Sequence, residues 1–142
     1  MTCDLCDSDG GEVLWRNNSL RIVRVKDADY PAFCRVIWNT HIKEMTDLSA
    51  HEQLQMMLTV FSVEASLRET IKPDKINLAS LGNMTPHLHW HVIPRFSDDR
   101  HFPQPIWAVA ARPATNQNFD PGKFDREMKL ALQRSIAARQ EV

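Results

Sequence analysis

The most regular hydrophobic pattern in the chain is a strict alternation over residues 87–93, where three histidines interleave with leucine, tryptophan and valine. A period of two is typical of a strand with one buried face, so this segment predicts a β-strand. On that strand His87, His89 and His91 project from the same side, at steps of roughly 7 Å. Pro94 has no amide hydrogen and is expected to end the strand pairing.

Four more strands are predicted from short runs of β-branched and aromatic residues bounded by turn residues. Hairpin connections join the strands, and one dominant helix accompanies them. Such connections indicate an antiparallel α+β fold with five strands, not a repeat of strand–helix–strand units. These four strands cover residues 12–16, 20–26, 33–38 and 76–81.

A long helix is predicted to begin at Ser49, which forms a capping box with Glu52, and to end before Pro73. Two apolar stripes run along nearly opposite sides of this helix. A helix lying on a sheet needs only one stripe, so the second predicts another cover, either a twofold-related copy in a homodimer or the folded C-terminal tail. The stripes are Leu54, Met57, Leu58, Phe61 and Ala65 on one side and Met56, Val60, Val63, Leu67 and Ile71 on the other.

The chain divides into residues 1–112, which carry the strands and the long helix, and residues 113–142, which form a linker and an amphipathic helix. The linker is expected at residues 115–120. The helix is expected over residues 124–139, with Phe124, Met128, Ala131 and Leu132 along one side.

Composition narrows the class of protein. The 142 residues suit a single domain with a hydrophobic core. Charged residues make up 25% of the chain and nearly cancel to a net charge of −1, which argues against a nucleic-acid partner. Acidic residues interrupt any apolar run near the start, and no apolar run is long enough to span a bilayer. Three cysteines do not indicate a disulfide framework, so a soluble cytoplasmic protein without a membrane partner is expected.

The row of histidines indicates chemistry more strongly than a single histidine would. Each imidazole needs a polar partner, and three charged neighbours would repel one another. Two interpretations follow from the residues alone. One is a three-histidine metal site, and the other is a histidine nucleophile acting on a phosphorylated substrate.

The sequence His87-Leu88-His89-Trp90-His91-Val92-Ile93 resembles the signature of the histidine triad (HIT) family of nucleotide hydrolases and transferases, and the resemblance extends over residues 3–107. It implies a HIT-like fold in which two subunits of a homodimer join their five-stranded sheets. It also implies cleavage at the α-phosphate of a dinucleoside polyphosphate, such as diadenosine tetraphosphate, or of a nucleoside phosphoramidate, with a purine nucleotide as substrate.

The resemblance assigns roles to the triad. His89 becomes the nucleophile that forms a nucleotidyl-histidine intermediate, with its other ring nitrogen bonded to the backbone carbonyl of His91. The side chain of His91 would contact the phosphate or protonate the leaving group, and His87 completes the catalytic set. Substrate contacts are expected from the loop before the triad and from two further positions, namely Gly82, Asn83, Thr85, Asn77 and, after a small shift, Asp27.

A second set of residues predicts a metal site. Cys3-x-x-Cys6 together with His41 and His87 matches the structural zinc site of some HIT relatives, and two thiolates with two imidazoles make a closed tetrahedral site. The cysteines alone would also suit two free thiols or a redox pair.

The chain departs from the family pattern at four positions: Phe33 replaces a usual active-site histidine, Val25 a ribose-binding aspartate, Asn83 a glutamine and Met84 a serine. Three hypotheses therefore remain. The first is the nucleotide hydrolase or transferase described above. The second is a nucleotide-binding regulatory module with little or no catalysis, and the third is a metal-dependent hydrolase that uses the triad as zinc ligands.

Overall fold

Five antiparallel strands form one sheet in the computed structural model, which describes residues 2–115 and 118–140. Two long helices and one short helix accompany the sheet within those residues. The strands are β1 (Glu12–Arg16), β2 (Leu20–Arg24), β3 (Cys34–Trp38), β4 (Lys75–Ala79) and β5 (His89–Arg95). The helices are α1 (Asp4–Asp7), α2 (Ala50–Ile71) and α3 (Pro121–Arg139), with a 3₁₀ turn at Met45–Asp47.

The sheet order is β1-β2-β3-β5-β4, with β5 between β3 and β4. The β3–β5 register places Arg35 opposite His91 and Ile37 opposite His89. The predicted antiparallel α+β sheet and its five strands are therefore confirmed, with strand ends shifted by one or two residues. The triad strand begins at His89, so His87 lies just before it.

The expectation that Pro94 ends the pairing is wrong. Pro94 pairs with Ile76, and the ladder continues to Arg95 opposite Lys75. The pairing between β3 and β5 extends only to Val92, so Pro94 has a strand on one side alone. A proline is tolerated there because no ladder on its open side requires its missing amide hydrogen.

Helix α2 begins and ends where the sequence predicts. The Ser49 hydroxyl accepts from the Glu52 backbone N–H at 3.2 Å, and the Glu52 carboxylate accepts from the Ser49 N–H at 2.8 Å. This reciprocal pair satisfies two of the amide groups left open at a helix start. The helix ends at Ile71, where Lys72 adopts a left-handed conformation with φ 49° and Pro73 follows.

The main core lies between one face of the sheet and the two long helices. Four of the five residues in the inner stripe of α2 are fully buried there, Ile71 is partly buried, and the apolar side of α3 joins the same cluster. The C-terminal helix therefore packs beside α2, but it leaves Leu54 and Phe61 on the other stripe 48% and 40% exposed. Asn116 and Gln117 of the predicted linker lie outside the described residues. The cluster includes Met56, Val60, Val63 and Leu67 of α2 and Phe124, Met128, Leu132 and Ile136 of α3.

The opposite face of the sheet carries the histidines. Alternation along β3 and β5 turns Arg35, Ile37, His89 and His91 away from the helices. Two small apolar clusters flank this face, one around Ile37 and one around Ile93. None of the helices in residues 2–115 and 118–140 combines the length and hydropathy that a membrane span needs.

A buried polar network ends β5 and fixes the loop that follows it. The Arg95 guanidinium and the Asp99 carboxylate, both 2% exposed, form two hydrogen bonds of 2.8 and 3.0 Å. The Tyr30 hydroxyl donates to Asp99 at 3.1 Å, and Arg95 also donates to the carbonyl of Gln104 at 2.8 Å. This loop leads to Trp107, whose ring reaches the histidine face.

Candidate active site and metal-ligand cluster

His89 and His91 stand side by side on β5, with ring centroids 4.8 Å apart and ring planes perpendicular. His89 Nδ1 lies 2.5 Å from the backbone carbonyl oxygen of His87 and must therefore carry the proton that it donates. Its Nε2 then holds a lone pair. This nitrogen has no hydrogen-bond partner among the described residues, and it is accessible to solvent. Burial, with a further contribution from Arg35, lowers the pKa of His89 and keeps the ring neutral.

The carbonyl that orients His89 is not the one that the family resemblance implied. The expected acceptor was the carbonyl of His91, but His91 lies inside the sheet and pairs with Arg35 on one side and Ala79 on the other. His87 precedes the strand, so its carbonyl is free of that ladder and accepts from His89.

His91 is also neutral. Its Nδ1 accepts from Arg35 Nε at 3.3 Å, which leaves the ring proton on Nε2. Burial, His89 and Arg35 together lower the pKa of His91 to about 3. At neutral pH His91 therefore offers a hydrogen-bond donor to a ligand and not a positive charge.

Aromatic rings enclose His91 on two sides. Phe33 meets it edge to face at 5.4 Å between centroids, and Trp107 does so at 5.2 Å. Sequence reasoning missed Trp107 and Arg35 as parts of this face. The signal for Arg35 was present, because an arginine two residues after Phe33 on a strand shares its face. Trp107 carried no such signal, because it reaches His91 from a distant loop.

The loop between β4 and β5 borders a cavity of about 220 Å³ beside the triad. Its lining includes Lys43, Ser80, Gly82 and His89. Gly82 has φ +77°, a conformation that favours glycine. The structure thus places Gly82 in the same cavity lining as His87 and His89. Asn83 and Thr85 do not line this cavity: Asn83 is exposed, and the carbonyl of Thr85 accepts from the His87 N–H at 2.8 Å.

The two remaining predicted substrate residues are engaged in bonds within the fold. Asn77 Oδ1 accepts from Arg95 Nη1 at 2.8 Å. Asp27 Oδ1 accepts from the backbone N–H groups of Asp29 and Tyr30 at 2.9 and 3.0 Å, which closes the turn after β2. Neither side chain has a hydrogen bond to the triad histidines.

The structure brings Cys3, Cys6, His41 and His87 together, with one ligand atom of each lying within 4.8 Å of the others. His87 Nδ1 lies 3.5 Å from Cys3 Sγ, 3.4 Å from Cys6 Sγ and 3.3 Å from His41 Nδ1. Bond lengths to tetrahedral zinc give ligand separations of about 3.3–3.4 Å between two nitrogens and about 3.6 Å between nitrogen and sulfur. The donor set and its spacing therefore fit a tetrahedral metal ion.

The backbone prepares His87 for this cluster. His87 Nε2 donates to the carbonyl of Trp38 at 2.6 Å, so the Nδ1 lone pair faces the sulfurs. The short helix α1 supplies both thiols, because Cys3 precedes its first residue and Cys6 lies one turn later. His87 Nδ1 lies next to Cys3, Cys6 and His41, and this cluster is the only group of three or more possible metal ligands in the described part of the chain. The triad therefore does not converge on one metal.

The third cysteine, Cys34, lies apart from the cluster on β3. It is fully buried, and burial raises the pKa of its thiol to about 12. A thiol in that environment is unreactive.

A five-stranded antiparallel sheet that presents a row of histidines on its open face defines the chain as a protein of the histidine triad class. The family model of the HIT domain matches residues 10–98. The chain belongs to the HIT family, a family of nucleotide-binding hydrolases and transferases.

Solved structures agree with that membership. A histidine triad protein from Bradyrhizobium japonicum is 29% identical over 90% of this chain and 92% of its own, with a TM-score of 0.70. A histidine triad protein from Sinorhizobium meliloti 1021 is 23% identical over 94% and 96%, with a TM-score of 0.72. A Zn-bound histidine triad family protein from Mycobacterium smegmatis is 19% identical over 97% and 98%, with a TM-score of 0.68. None of the curated proteins compared with the chain matches its sequence.

Proposed function

We propose that the protein cleaves a nucleotide at its α-phosphorus through a covalent intermediate on His89. The substrate is a dinucleoside polyphosphate or a nucleoside phosphoramidate. The observation that carries this proposal is the orientation of one ring: the 2.5 Å bond from His89 Nδ1 to the His87 carbonyl leaves Nε2 as a neutral nucleophile without a partner in the described chain.

The reaction has two steps. The His89 Nε2 lone pair forms a bond to the α-phosphorus, and the bond from phosphorus to the leaving group breaks, with the leaving group taking the electron pair. Water then cleaves the nitrogen–phosphorus bond, which releases the nucleoside monophosphate and restores the imidazole. His91 Nε2–H, beside His89, would donate to an oxygen on the phosphorus. Gly82 lets backbone approach the phosphate closely.

Trapping the adduct tests this proposal. We would expose the protein to diadenosine tetraphosphate and to adenosine phosphoramidate, quench under alkaline denaturing conditions and map the modified peptide. A nucleotidyl group on His89 is expected, as is its loss with turnover in His89→Asn. His51→Asn on α2 is the matched control, because that side chain is exposed and lies outside the triad. Turnover by His89→Asn near the wild-type rate would reject the mechanism.

One observation favours a second candidate function, a nucleotide-binding module with little catalysis. Phe33 places an apolar ring against His91 where many relatives have a histidine. Tight binding of AMP without an adduct from either substrate would support the regulatory module over the enzyme.

We further propose that the four-residue cluster holds a structural zinc ion. Cys3, Cys6, His41 and His87 would be its ligands, and a tetrahedral set of four protein ligands leaves no open position for substrate. The Zn-bound protein from Mycobacterium smegmatis is a structural neighbour. Purified protein should contain about one zinc per chain, and Cys6→Ser should lose it. Cys34→Ala, outside the cluster, should keep it, and zinc retained by Cys6→Ser would refute the assignment.

We also propose that the chain forms a homodimer. Leu54 and Phe61 stay 48% and 40% exposed on α2 after α3 has packed, and a second copy would cover them. Light scattering should give a dimer for the wild type and a monomer for Phe61→Lys. Leu130→Lys, at a 59% exposed position on α3, is the matched control and should stay dimeric. A monomeric wild type would exclude this assembly.

A further inference from the structure

The histidine face also carries a charged side chain, Arg35, which has no role in the reaction proposed above. It lies on β3 directly opposite His91. Its Nε donates to His91 Nδ1 at 3.3 Å, and its guanidinium carbon lies 5.4 Å from the centre of the Phe33 ring. The neighbours of this partly buried cation are thus a neutral imidazole and a phenyl ring.

No carboxylate pairs with Arg35 within residues 2–115 and 118–140. Burial lowers the pKa of Arg35, and Asp27 is the acid that offsets part of this effect. Asp27 does not bond to the guanidinium, because its Oδ1 accepts from the backbone of the turn after β2. A partly desolvated cation that lacks an anion is costly unless a ligand supplies one.

Other buried arginines of this protein have partners. Arg95 forms a two-bond pair with Asp99. Arg21, on the same face as Arg35, donates to the side-chain oxygen of Asn39 at 3.0 Å and to three backbone carbonyls. Arg35 differs from Arg95 in having no carboxylate partner and from Arg21 in making one hydrogen bond where Arg21 makes four, and its charge acts on His89 and His91 at the proposed reaction site.

We propose that Arg35 binds a second anionic group of the substrate, next to the phosphorus that His89 attacks. The proposal rests on the proposed function, and it narrows the substrate to a chain of phosphoanhydrides. Successive phosphoryl groups of such a chain are each negatively charged, whereas the amine side of a phosphoramidate carries no anion. A guanidinium is suited to this task because its planar donors bind phosphate oxygens in pairs.

Arg35 also lies beside Phe33, the residue that replaces the usual active-site histidine. Residues 33 and 35 lie on one face of the chain as it enters β3, so the charge sits beside the ring that replaces the usual histidine. Arg35 holds His91 with its proton on Nε2, ready to donate to a phosphoryl oxygen. His91 remains neutral. The charged and titratable groups that lower its pKa are His89 and Arg35. The permanent positive charge next to His91 is therefore that of Arg35.

Binding measurements that need no turnover test the proposal. In a His89→Asn background, calorimetry would compare inorganic phosphate with pyrophosphate and AMP with ADP. We expect the second phosphate to tighten binding. Arg35→Met should weaken pyrophosphate and ADP by about 10- to 150-fold, the range for one charge-assisted contact, and leave phosphate and AMP almost unchanged. Arg35→Lys should recover part of the loss, since it keeps the charge without the planar donors.

Arg134→Met, with the same change in charge at an exposed position on α3, should bind all four probes like its parent. Urea unfolding of each variant checks the fold, and Arg35→Lys decides the matter if Arg35→Met is unstable. The proposal is overturned if the parent binds neither pyrophosphate nor ADP, if Arg35→Met weakens all four probes equally, or if neither Arg35 variant weakens any of them. Failure of the proposed function would give a different result: the wild-type protein, with Arg35 present, would form no adduct on His89.

Discussion

The buried pair of Arg95 and Asp99 offers a sharp test of what holds the histidine face in place. The Asp99 carboxylate is 2% exposed and accepts two hydrogen bonds from Arg95, at 2.8 and 3.0 Å, and one from Tyr30 at 3.1 Å. Burial alone would raise the pKa of Asp99, but the bonds from Arg95 and from the backbone outweigh it and lower that pKa. Three backbone N–H groups also donate to it, those of Phe96, His101 and Phe102.

Asp99→Asn keeps the shape of the side chain but removes its charge and turns an amide group toward these donors. The change leaves Arg95 buried without its anion, and breaking a buried pair from one side costs about 3–5 kcal/mol. At about 4 °C per kcal/mol for a chain of this size, the melting temperature should fall by roughly 12–20 °C. Urea unfolding at pH 7, followed by circular dichroism, gives the free energy of unfolding directly.

Asp98→Asn is the control, because Asp98 is the exposed neighbour of the buried carboxylate. Its effect should stay within about 0.5 kcal/mol. If Asp99→Asn were as stable as Asp98→Asn, the network would not be what fixes the loop that carries Trp107. The stabilisation from Asp99 should also weaken in acid, because a carboxylate with a lowered pKa stabilises the fold above its unfolded pKa and loses that effect as pH falls.

Two further predictions concern the imidazoles and the core. The pKa of His91 falls from 6.5 to about 3 on folding, so the unfolded chain binds a proton that the folded chain rejects, and stability should decline as pH drops through that window. His91→Asn should flatten the slope of unfolding free energy against pH between 6.5 and 4, and an unchanged slope would contradict the assignment. Leu67→Ala at a fully buried position should cost about 2–5 kcal/mol, while Leu130→Ala at a 59% exposed position should cost under about 0.5 kcal/mol. Equal costs in urea unfolding would contradict the packing of α2.

Local patterns in the sequence were sufficient for most of the fold. The alternation around His89 and His91 specifies a strand because side chains on extended backbone alternate between faces. The start of α2 was predictable from Ser49 and Glu52, since a capping box involves only residues three positions apart. The ends of the strands were less predictable, and Pro94 shows why. Whether a proline interrupts a ladder depends on whether a neighbouring strand lies on its amide side.

The candidate site was predictable only in part. The HIT signature identified the histidines, and the pair Cys3 and Cys6 with His41 and His87 was expected together from the family pattern. Only the tertiary structure decided how these groups are oriented. The His87 carbonyl orients His89, and the Trp38 carbonyl turns His87 toward the thiols.

By itself, then, the sequence determined the strands, the long helices and the chemistry available to the site, because these depend on residue type and on short spacings. The tertiary structure decided which side chains come into contact. Arg35 contacts His91, which is 56 positions away in the sequence, and His87 contacts Cys3, which is 84 positions away. Local hydrophobic periodicity does not indicate contacts between residues so far apart. Both pairs exist because strand pairing, and the packing of Leu5 against the sheet, bring distant parts of the backbone together, and that arrangement is set by the packing of the whole sheet.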